Sequence, residues 1–250
     1  MSEAHADATP VALVTGSAAR VGATILEALH DRKFNVCLHY RGSREAAEAL
    51  SARLNGIRPD SCLTLRADLG NFSQCENIIG AAHRHWGRLD VLVNNASAFY
   101  PTPVGTINEH HWDDLMAANV KGPLFLSQAA APHLRETQGN IVNLIDIYAE
   151  RPLKEHTVYC IAKAGIAMLT KSLAQELGPR VRVNGVAPGA ILWPEAGKDD
   201  EQKREILKRV ALKRAGEPDD IAQTVVFLAT SARYISGQII AVDGGRSVIP

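Results

Sequence analysis

The sequence has few cysteines, no excess of either charge and no long apolar run, and each absence excludes a class of protein. The four cysteines are scattered without a C-x-x-C pair, so they form neither a disulfide framework nor a thiolate metal site. Lys+Arg and Asp+Glu number 27 each, so no long-range field attracts nucleic acid. No segment approaches the roughly 18 apolar residues of a membrane span. We therefore expect a cytoplasmic protein that binds neither nucleic acid nor membrane.

Histidines are the remaining ligand type, and their spacing gives no metal motif. His83 and His85 lie two residues apart in a predicted helix and so do not share a face, and the run Glu109–His111 has no ligand spacing. We expect no metal. The polar first residues carry no leader signal, and residues 1–9 are expected to be flexible.

Short apolar runs alternate with longer helical patterns along nearly the whole chain. The near-continuous apolar character of the runs is typical of parallel strands buried on both faces. The predicted strands are Val11–Thr15, Asn35–His39, Cys62–Ala67, Val91–Asn94, Asn140–Ile145, Arg182–Ala187 and Gln238–Val242. The predicted helices are Val21–Asp31, Arg44–Leu54, Ser73–Trp86, Leu124–Arg135, Val158–Leu177 and Asp219–Ala229.

This alternation predicts an α/β fold, a doubly wound parallel sheet of about seven strands with helices on both faces. No linker or repeat divides the chain, so residues 1–250 are expected to form one domain with both the cofactor and the substrate site. Two long segments, Ser97–His111 and Ala190–Leu207, follow the C-terminal ends of strands. Ligands bind at those ends, so the two segments are predicted to be lids or pocket walls.

The first predicted strand runs into a glycine turn, TGSAARVG, which contains Gly16 and Gly22. Glycine at these places lets the backbone approach a pyrophosphate, which then lies on the N–H groups and the positive dipole end of the helix. The spacing is not G-x-G-x-x-G. Taken alone, the turn is equally consistent with a tight connection that binds nothing.

The residues after the second strand bear on which dinucleotide binds. An acid there would accept hydrogen bonds from a free ribose 2′-hydroxyl, but the sequence HYRGSRE has no acid before Glu45. Arg41 and Arg44, with Ser43 between them, offer donors and positive charge to a 2′-phosphate. This favours NADPH over NADH, although arginines are also common in solvated loops. Asp68, after the third strand, is predicted to hold the adenine, to cap the next helix, or both.

Tyr159 and Lys163 lie four residues apart in a predicted helix and share one face. The ordinary pKa of tyrosine is near 10, and a neighbouring lysine charge is expected to lower it by stabilising the phenolate. The pair is a candidate general acid, although such spacing also occurs by chance in many helices. An acid, Asp146, lies 13 residues before the tyrosine.

These motifs, in their order and spacing, resemble those of the short-chain dehydrogenases/reductases from about Ala12 to Gly245. The resemblance implies one Rossmann-type domain, a small-molecule substrate and assembly as a homotetramer. It rests on Thr15-Gly16 with Gly22, on Asn94-Asn95-Ala96, on Asn119, on Tyr159 with Lys163, on Arg182–Gly189 and on Ser236–Gly245.

Three departures from the family's usual pattern narrow the resemblance. Arg20 stands where the middle glycine usually lies, Ser97 follows NNA where glycine is common, and Asp146 replaces the usual catalytic serine. All three are similar to the pteridine reductases, in which an aromatic residue at the position of Phe99 stacks the pterin against the nicotinamide. The branch implies a substrate site formed by Arg20, Ser97, Phe99, Asp146, Tyr159 and Trp193, although the tryptophan is as readily a packing residue.

The resemblance also implies the catalytic and cofactor-binding residues. The catalytic set is Asp146, Tyr159, Lys163 and Asn119. In that family the asparagine bends a helix and holds a water of a proton relay. Asn119 is also consistent with an ordinary residue in the middle of a helix. The expected cofactor-binding residues are Gly16, Ser17, Arg20, Val21, His39, Tyr40, Arg41, Ser43, Arg44, Asp68, Leu69, Asn95, Ala96, Ser97, Tyr159, Lys163, Pro188, Gly189 and Ile191.

A carboxylate at position 146 disfavours ordinary ketone reduction, because it would repel the oxyanion that forms at the carbonyl. A pterin instead presents an amino group and ring nitrogens, and its C=N bond takes hydride at carbon and a proton at nitrogen. We therefore expect an NADPH-dependent reductase of dihydropterins, with oxidised pterins or folates as further substrates. The alternatives are a dihydromonapterin or dihydrofolate reductase, a carbonyl-reducing relative, and a non-catalytic NADP-binding regulatory protein. Asp146 can also be structural, as a cap at a strand end or as a partner of Lys163.

Overall fold

Seven strands, all parallel, form one sheet in the order β3-β2-β1-β4-β5-β6-β7 within the residues that the computed structural model describes, 9–191 and 200–249. This confirms the predicted doubly wound α/β fold, and every predicted strand end is correct to within one residue. Trp193 and residues 1–8 lie outside the described part, and the single-domain organisation stays a prediction. Strands β1 to β7 are Val11–Val14, Asn35–Tyr40, Cys62–Arg66, Val91–Asn94, Asn140–Leu144, Arg182–Pro188 and Ile239–Val242.

Helices accompany the strands, and six of them were predicted. Two were not predicted, α4 (Glu109–Met116) and α7 (Asp200–Lys208), and both overlap the segments predicted to be lids or pocket walls. The α4 sequence is polar and buries only Leu115, while its start is fixed by Asn108, whose side chain accepts from the His111 N–H at 3.0 Å. No helix in the described ranges is long and apolar enough to cross a bilayer. Helices α1 to α8 are Arg20–Asp31, Arg44–Ile57, Phe72–Trp86, Glu109–Met116, Gly122–Thr137, Thr157–Leu177, Asp200–Lys208 and Pro218–Thr230.

Strand β1 shows why the strands are apolar without alternation. Ala12 and Val14 pack on the side of α1 and α8, whereas Val11 and Leu13 pack on the side of α3 and α5. All four side chains are fully buried, and burying one such leucine or valine stabilises a fold by about 1.5–3 kcal/mol. Because helices cover both faces, the carboxyl ends of the strands are where the sheet stays open to a ligand.

A buried polar ladder sets these carboxyl ends relative to α6. The Asn94 amide donates to the Asn143 side-chain oxygen at 2.8 Å, and the Asn143 amide donates to the Thr170 hydroxyl at 2.9 Å. The Thr170 hydroxyl in turn donates to the Ile166 carbonyl at 2.8 Å. Polar groups that are buried and bonded to one another specify one arrangement of the elements that carry them. Here they fix β4, β5 and α6.

Substituting Gly22 should destabilise the fold at the point where α1 begins. An alanine Cβ there would lie 2.3 Å from the Gly16 carbonyl oxygen and 2.5 Å from the Asn95 amide nitrogen. We expect Gly22→Ala to lower the free energy of unfolding by about 1–3 kcal/mol, the usual cost of overpacking. The measurement is the urea unfolding midpoint. The matched control is Gly56→Ala in α2, where a Cβ meets nothing within 4 Å, so stability should be kept or slightly raised. Equal midpoints for the two variants would contradict this account.

Candidate active site

A cavity of about 980 Å³ opens at the carboxyl ends of the strands, between the β1–α1 turn, the loop after β4 and the segment after β5. That volume is at the upper end of the range for small-molecule and cofactor sites. The predicted site residues on its wall are Gly16, Arg20, Val21, His39, Arg41, Asp68, Leu69, Asn95, Ala96, Ser97, Phe99, Asp146, Tyr159, Pro188, Gly189 and Ile191. Other predicted residues are not on that wall: Ser17, Tyr40, Ser43, Arg44, Asn119 and Lys163.

The β1–α1 turn is bonded directly to the end of β4. The Thr15 hydroxyl accepts from the backbone N–H groups of Asn95 and Ala96, both at 2.9 Å. The Asn95 side-chain amide donates to the carbonyls of Thr15 and Gly16 at 2.8 and 3.1 Å. Gly16 has φ +61°, and a Cβ built on it would lie 3.0 Å from the Ala96 Cα, so a residue with a side chain would be strained here. The turn is therefore rigid before any ligand binds.

The N-terminus of α1 faces this cavity in a form that suits an anion. No side chain among the described residues caps it, because the N-cap position is Ala19, and its first turn holds no acid. Its first N–H groups and the positive end of the helix dipole are therefore available to a phosphate. Arg20 is exposed at the same place, with φ +57°, a left-handed conformation at the position where the family usually has glycine.

His39 and Ser17 stabilise this turn through hydrogen bonds. The Gly16 N–H donates to His39 Nδ1 at 3.1 Å, and His39 Nε2 donates to the Ala67 carbonyl at 3.2 Å, which fixes the neutral tautomer. Burial lowers the pKa of His39 and keeps it neutral. Ser17 is fully buried and donates its hydroxyl to the Val14 carbonyl at 2.8 Å. The sequence predicts both residues as cofactor ligands. In the structure, however, their side-chain polar groups are hydrogen-bonded to other groups of the protein.

The arginines after β2 separate into two environments. Arg41 is exposed and lines the cavity. Arg44 instead forms an ion pair with Glu48 one turn along α2, at 2.7 Å. Ser43 lies exposed before α2, and Tyr40 packs into the core. The structure thus brings one of the two predicted phosphate ligands, Arg41, to the cavity.

Asp68 lines the cavity, but it is not the cap of the next helix. Its side chain accepts from the Gly70 N–H at 2.9 Å within the β3–α3 connection. The cap is Asn71, whose side chain accepts from the Gln74 N–H. Of the two roles predicted for Asp68, capping is wrong, because helix α3 begins three residues further on than that role requires.

Asn119 lies at the centre of a π-helical turn, Ala117–Lys121, between α4 and α5. Its amide donates to the carbonyls of Leu115 and Ala98 at 2.9 and 3.0 Å, and its oxygen accepts from the Ser97 hydroxyl at 2.7 Å. The extra residue of the π turn aims this side chain at the loop after β4. Asn119 therefore fixes the loop that carries Ser97 and Phe99, and its part in a proton relay stays a prediction.

Phe99 projects from that loop toward Tyr159 and is about half exposed. Its ring is stacked on His156, with centroids 4.7 Å apart, and meets the Tyr159 ring edge-on at 4.8 Å. Two aromatic neighbours hold the ring in one orientation. The exposed part of Phe99 is thus a fixed flat surface next to Tyr159.

Asp146 is hydrogen-bonded to Tyr159 inside the cavity. The Tyr159 hydroxyl donates to Asp146 Oδ2 at 2.8 Å. The other carboxyl oxygen, Oδ1, accepts from the Tyr148 N–H at 3.0 Å and caps the short helical turn Ile147–Ala149. The predicted structural role as a cap and the contact with the tyrosine are therefore both present. Burial raises the pKa of Asp146, although its hydrogen bonds and nearby cations oppose that rise.

Lys163 lies behind this pair rather than at the cavity wall. It is buried, its ammonium donates to the Leu144 carbonyl at 3.1 Å, and its nitrogen is 5.5 Å from the centroid of the Tyr159 ring. Burial lowers the pKa of Lys163 to about 8. The pKa of Tyr159 is raised, first by burial and then by Asp146, so the expected lowering by lysine is wrong for this geometry. Tyr159 is held here as a neutral phenol.

Sequence reasoning missed a second group of cavity residues. His110, Asp113 and Asp114 belong to α4, whose polar sequence gave no helical signal. Tyr148 and Arg246 come from the turn after β5 and from the chain beyond β7. The family motif Ser236–Gly245 ends one residue before Arg246, and nothing in the sequence indicates that the arginine lies at the site.

One cluster elsewhere in the described residues has metal-ligand types. His83, His133 and Glu136, from α3 and α5, bring three candidate ligand atoms within 4.8 Å of one another. The two imidazoles are stacked, with centroids 3.9 Å apart and planes 21° apart. Imidazole nitrogens bind a metal along the ring plane, so two stacked rings do not aim at one ion. The absence of a metal stays a prediction.

Comparison with known proteins supplies the family. A family model described as enoyl-(acyl carrier protein) reductase matches residues 16–247. The chain is 38% identical to pteridine reductase 1 of Leishmania tarentolae, over 96% of each chain. It is 37% identical to the 3-oxoacyl-[acyl-carrier-protein] reductase FabG of Staphylococcus aureus (strain N315), over 95% of this chain and 98% of that protein. Together with the parallel sheet and the Asp146, Tyr159 and Lys163 site, these matches establish that the chain belongs to the short-chain dehydrogenase/reductase family.

Proposed function

We propose that the protein is an NADPH-dependent pteridine reductase, which reduces the C=N bond of a dihydropterin to give the tetrahydro form. The observation that carries the proposal is the hydrogen bond from Tyr159 to Asp146 at 2.8 Å, beside the fixed ring of Phe99. The match to a pteridine reductase over nearly the whole chain supports it.

The cavity suits NADPH at two places, one for the pyrophosphate and one for the 2′-phosphate. The uncapped N-terminus of α1 and the close-packed Gly16 suit a pyrophosphate, and Arg20 adds positive charge there. Arg41 directly follows β2, where a 2′-phosphate would lie, and no acid occurs between β2 and Glu45. When bound, NADPH supplies the hydride.

The substrate end of the cavity combines a flat apolar surface with an acceptor. Phe99 offers a ring on which a planar heterocycle stacks, and Asp146 offers oxygens that accept from amino and ring N–H groups. Each oxygen of Asp146 already accepts one hydrogen bond from the protein and keeps capacity for another. A pterin edge matches this pair, because it is planar and rich in N–H donors.

Proton delivery distinguishes this site from that of a ketone reductase. Reduction turns C=N into CH–NH, with hydride added at carbon and one proton added at nitrogen. Burial raises the pKa of Asp146, so its carboxyl holds a proton more readily at neutral pH than an ordinary carboxyl does. Asp146 delivers the proton toward the ring nitrogen and is left as a carboxylate, which the neutral Tyr159 hydroxyl stabilises by donating a hydrogen bond to it.

A carbonyl-reducing enzyme is the second candidate, favoured by the similarity to 3-oxoacyl-[acyl-carrier-protein] reductases. Against it stands Asp146, whose ionised form opposes the oxyanion of a carbonyl reduction. Dihydromonapterin and dihydrofolate present the same ring edge with different tails, so they are variants of the leading proposal. The buried Tyr159 and Lys163 pair argues against a non-catalytic NADP-binding protein. The homotetramer and the cytoplasmic location stay predictions.

Replacing Asp146 should abolish the preference for pterins. We expect Asp146→Ser to lower kcat/KM for dihydrobiopterin by roughly 10²–10⁴-fold, the usual value of positioned acid–base catalysis, and Tyr159→Phe to do likewise. Steady-state oxidation of NADPH with dihydrobiopterin, dihydromonapterin, dihydrofolate and a simple ketone measures this. The control is Asp219→Asn, an exposed acid on α8. Turnover confined to the ketone, or an Asp146→Ser variant as active as the parent, would remove the pterin assignment.

Replacing Arg41 should weaken NADPH binding while sparing NADH. The loss of one charge-assisted contact with a phosphate corresponds to about a tenfold rise in Kd. Arg44→Ala should change the NADPH Kd much less, because the Arg44 side chain is paired with Glu48. Titration of nucleotide fluorescence measures both constants, with Arg53→Ala on α2 as the control. A parallel loss of NADH affinity in Arg41→Ala would show that Arg41 does not act on the 2′-phosphate.

A further inference from the structure

The chain beyond β7 forms a fixed turn that aims Arg246 at the substrate end of the cavity. Asp243 holds the turn, because its carboxyl oxygens accept from the N–H groups of Gly245 and Ser247 at 2.9 and 2.6 Å. Gly245 has φ +80°, which a residue with a side chain rarely adopts. Further on, Arg151 donates to the Ile249 carbonyl at 2.7 Å and holds the tail against the segment after β5.

Arg246 joins the site through Tyr148. Its guanidinium donates from Nη2 to the Tyr148 hydroxyl at 3.1 Å and lies 5.6 Å from the centroid of that ring. The Tyr148 N–H donates to Asp146 Oδ1 at 3.0 Å. All three side chains line the cavity. A continuous chain of contacts therefore runs from the C-terminal segment to the carboxyl group that contacts Tyr159.

We propose that Arg246 is a positioning residue for the reduction: it holds the Tyr148 ring in place and sets a permanent positive charge in front of Asp146. The consequence for turnover rests on the proposed function. The geometry itself, an arginine and a tyrosine on the cavity wall beside Asp146, does not.

The charged and titratable groups around Asp146 explain why a second cation is needed. Tyr148 faces it from the turn after β5, Tyr159 and Lys163 face it from α6, and Arg246 faces it from the C-terminal segment. Burial raises the pKa of Asp146, while Lys163 and Arg246 act to lower it. The pKa of Lys163 is itself lowered to about 8 by burial, so its charge is lost as the pH rises through that value.

An arginine is suited to this position because it cannot be neutralised. Its guanidinium stays charged throughout the pH range in which Lys163 titrates. It also has five N–H donors in a planar fork, of which one is bonded to Tyr148 here. Arg246 therefore keeps a positive charge beside Asp146 when Lys163 loses its own. A lysine in its place would keep the charge but lose the fork.

The test measures the titration of Asp146 directly in the full-length protein. Carbon-13 NMR of protein labelled at the aspartate carboxyls follows the resonance, which Asp146→Asn identifies. Removing an opposite charge raises the pKa of an acid, so Arg246→Met should move the titration midpoint of Asp146 to higher pH. Arg246→Lys should leave the titration midpoint of Asp146 close to the parent value, because lysine keeps the positive charge. The matched control is Arg151→Met, which removes an arginine that contacts the same C-terminal segment.

Kinetics with dihydrobiopterin provide the second readout. The alkaline limb of the kcat/KM profile, which reports the group that donates the proton, should move to higher pH with the midpoint in Arg246→Met, and the maximum of kcat/KM should fall about tenfold, the usual effect of losing a hydrogen bond that involves a charged group. The Kd of NADPH should stay the same. Tyr148→Phe should lower kcat/KM less, because it removes the hydrogen bond but keeps the charge.

The outcomes separate this inference from the proposed function. A midpoint that is the same in Arg246→Met and the parent, or an equal shift in Arg151→Met, overturns the role of Arg246. A shifted midpoint with an unshifted pH profile overturns its effect on turnover. If the parent reduces no pterin, the proposed function fails while the NMR titration still decides the electrostatic part. If Arg246→Met does not fold, Arg246→Lys and Tyr148→Phe carry both measurements.

Discussion

The hydrogen bond between Tyr159 and Asp146 joins the end of β5 to the first turn of α6, and the arrangement of the side chains at this end of the cavity depends on it. The same carboxyl group caps the turn after β5 through the Tyr148 N–H, and Lys163, one turn further along α6, donates to the Leu144 carbonyl of β5. Three contacts thus fix one helix against one strand end. The acid at position 146 therefore has a structural role of its own, besides the chemical role that we propose for it.

Burial of these groups has an electrostatic consequence. Removal from water disfavours every charged form, so the pKa of Asp146 rises and that of Lys163 falls. A buried charge is tolerated when an opposite charge and hydrogen bonds compensate it. A serine at position 146 would need no such compensation. The carboxyl group does, and the structure provides it from two directions, with Lys163 on α6 and Arg246 on the C-terminal segment.

The sequence predicts the strands and helices of the fold better than it predicts the contacts between side chains. Strands such as β1 were found to within one residue because burial on both faces leaves a continuous apolar run. Helix α4 was missed because it buries only Leu115, so its sequence has almost no apolar period. The apolar periodicity of a helix arises from its buried face. A helix at the rim of a cavity is mostly exposed, so its sequence lacks this signal.

The same difference between local sequence signals and distant contacts holds for the site residues. The positions of Tyr159 and Asp146 followed from motif spacing, since a helix and a strand end have fixed geometry. The tasks of the neighbouring side chains depended on partners distant in the chain: His39 bonds the Gly16 N–H, and Arg44 turns to Glu48. Arg246 lies 98 residues from Tyr148, which it contacts, and no local pattern marks such a pairing.

Overall identity does not decide the chemistry of this chain, because relatives named for a pterin and for a 3-oxoacyl group match it at 38% and 37%. A shared fold supports many reactions, and function follows from the site. The deciding feature is the sign of charge beside the reacting atoms. An oxyanion requires donors and is opposed by a carboxylate, whereas a ring nitrogen that must gain a proton is served by one whose pKa is raised. Asp146, hydrogen-bonded to Tyr159, has the raised pKa that the proposed reduction requires, and the cations around it stabilise its ionised form at a buried position.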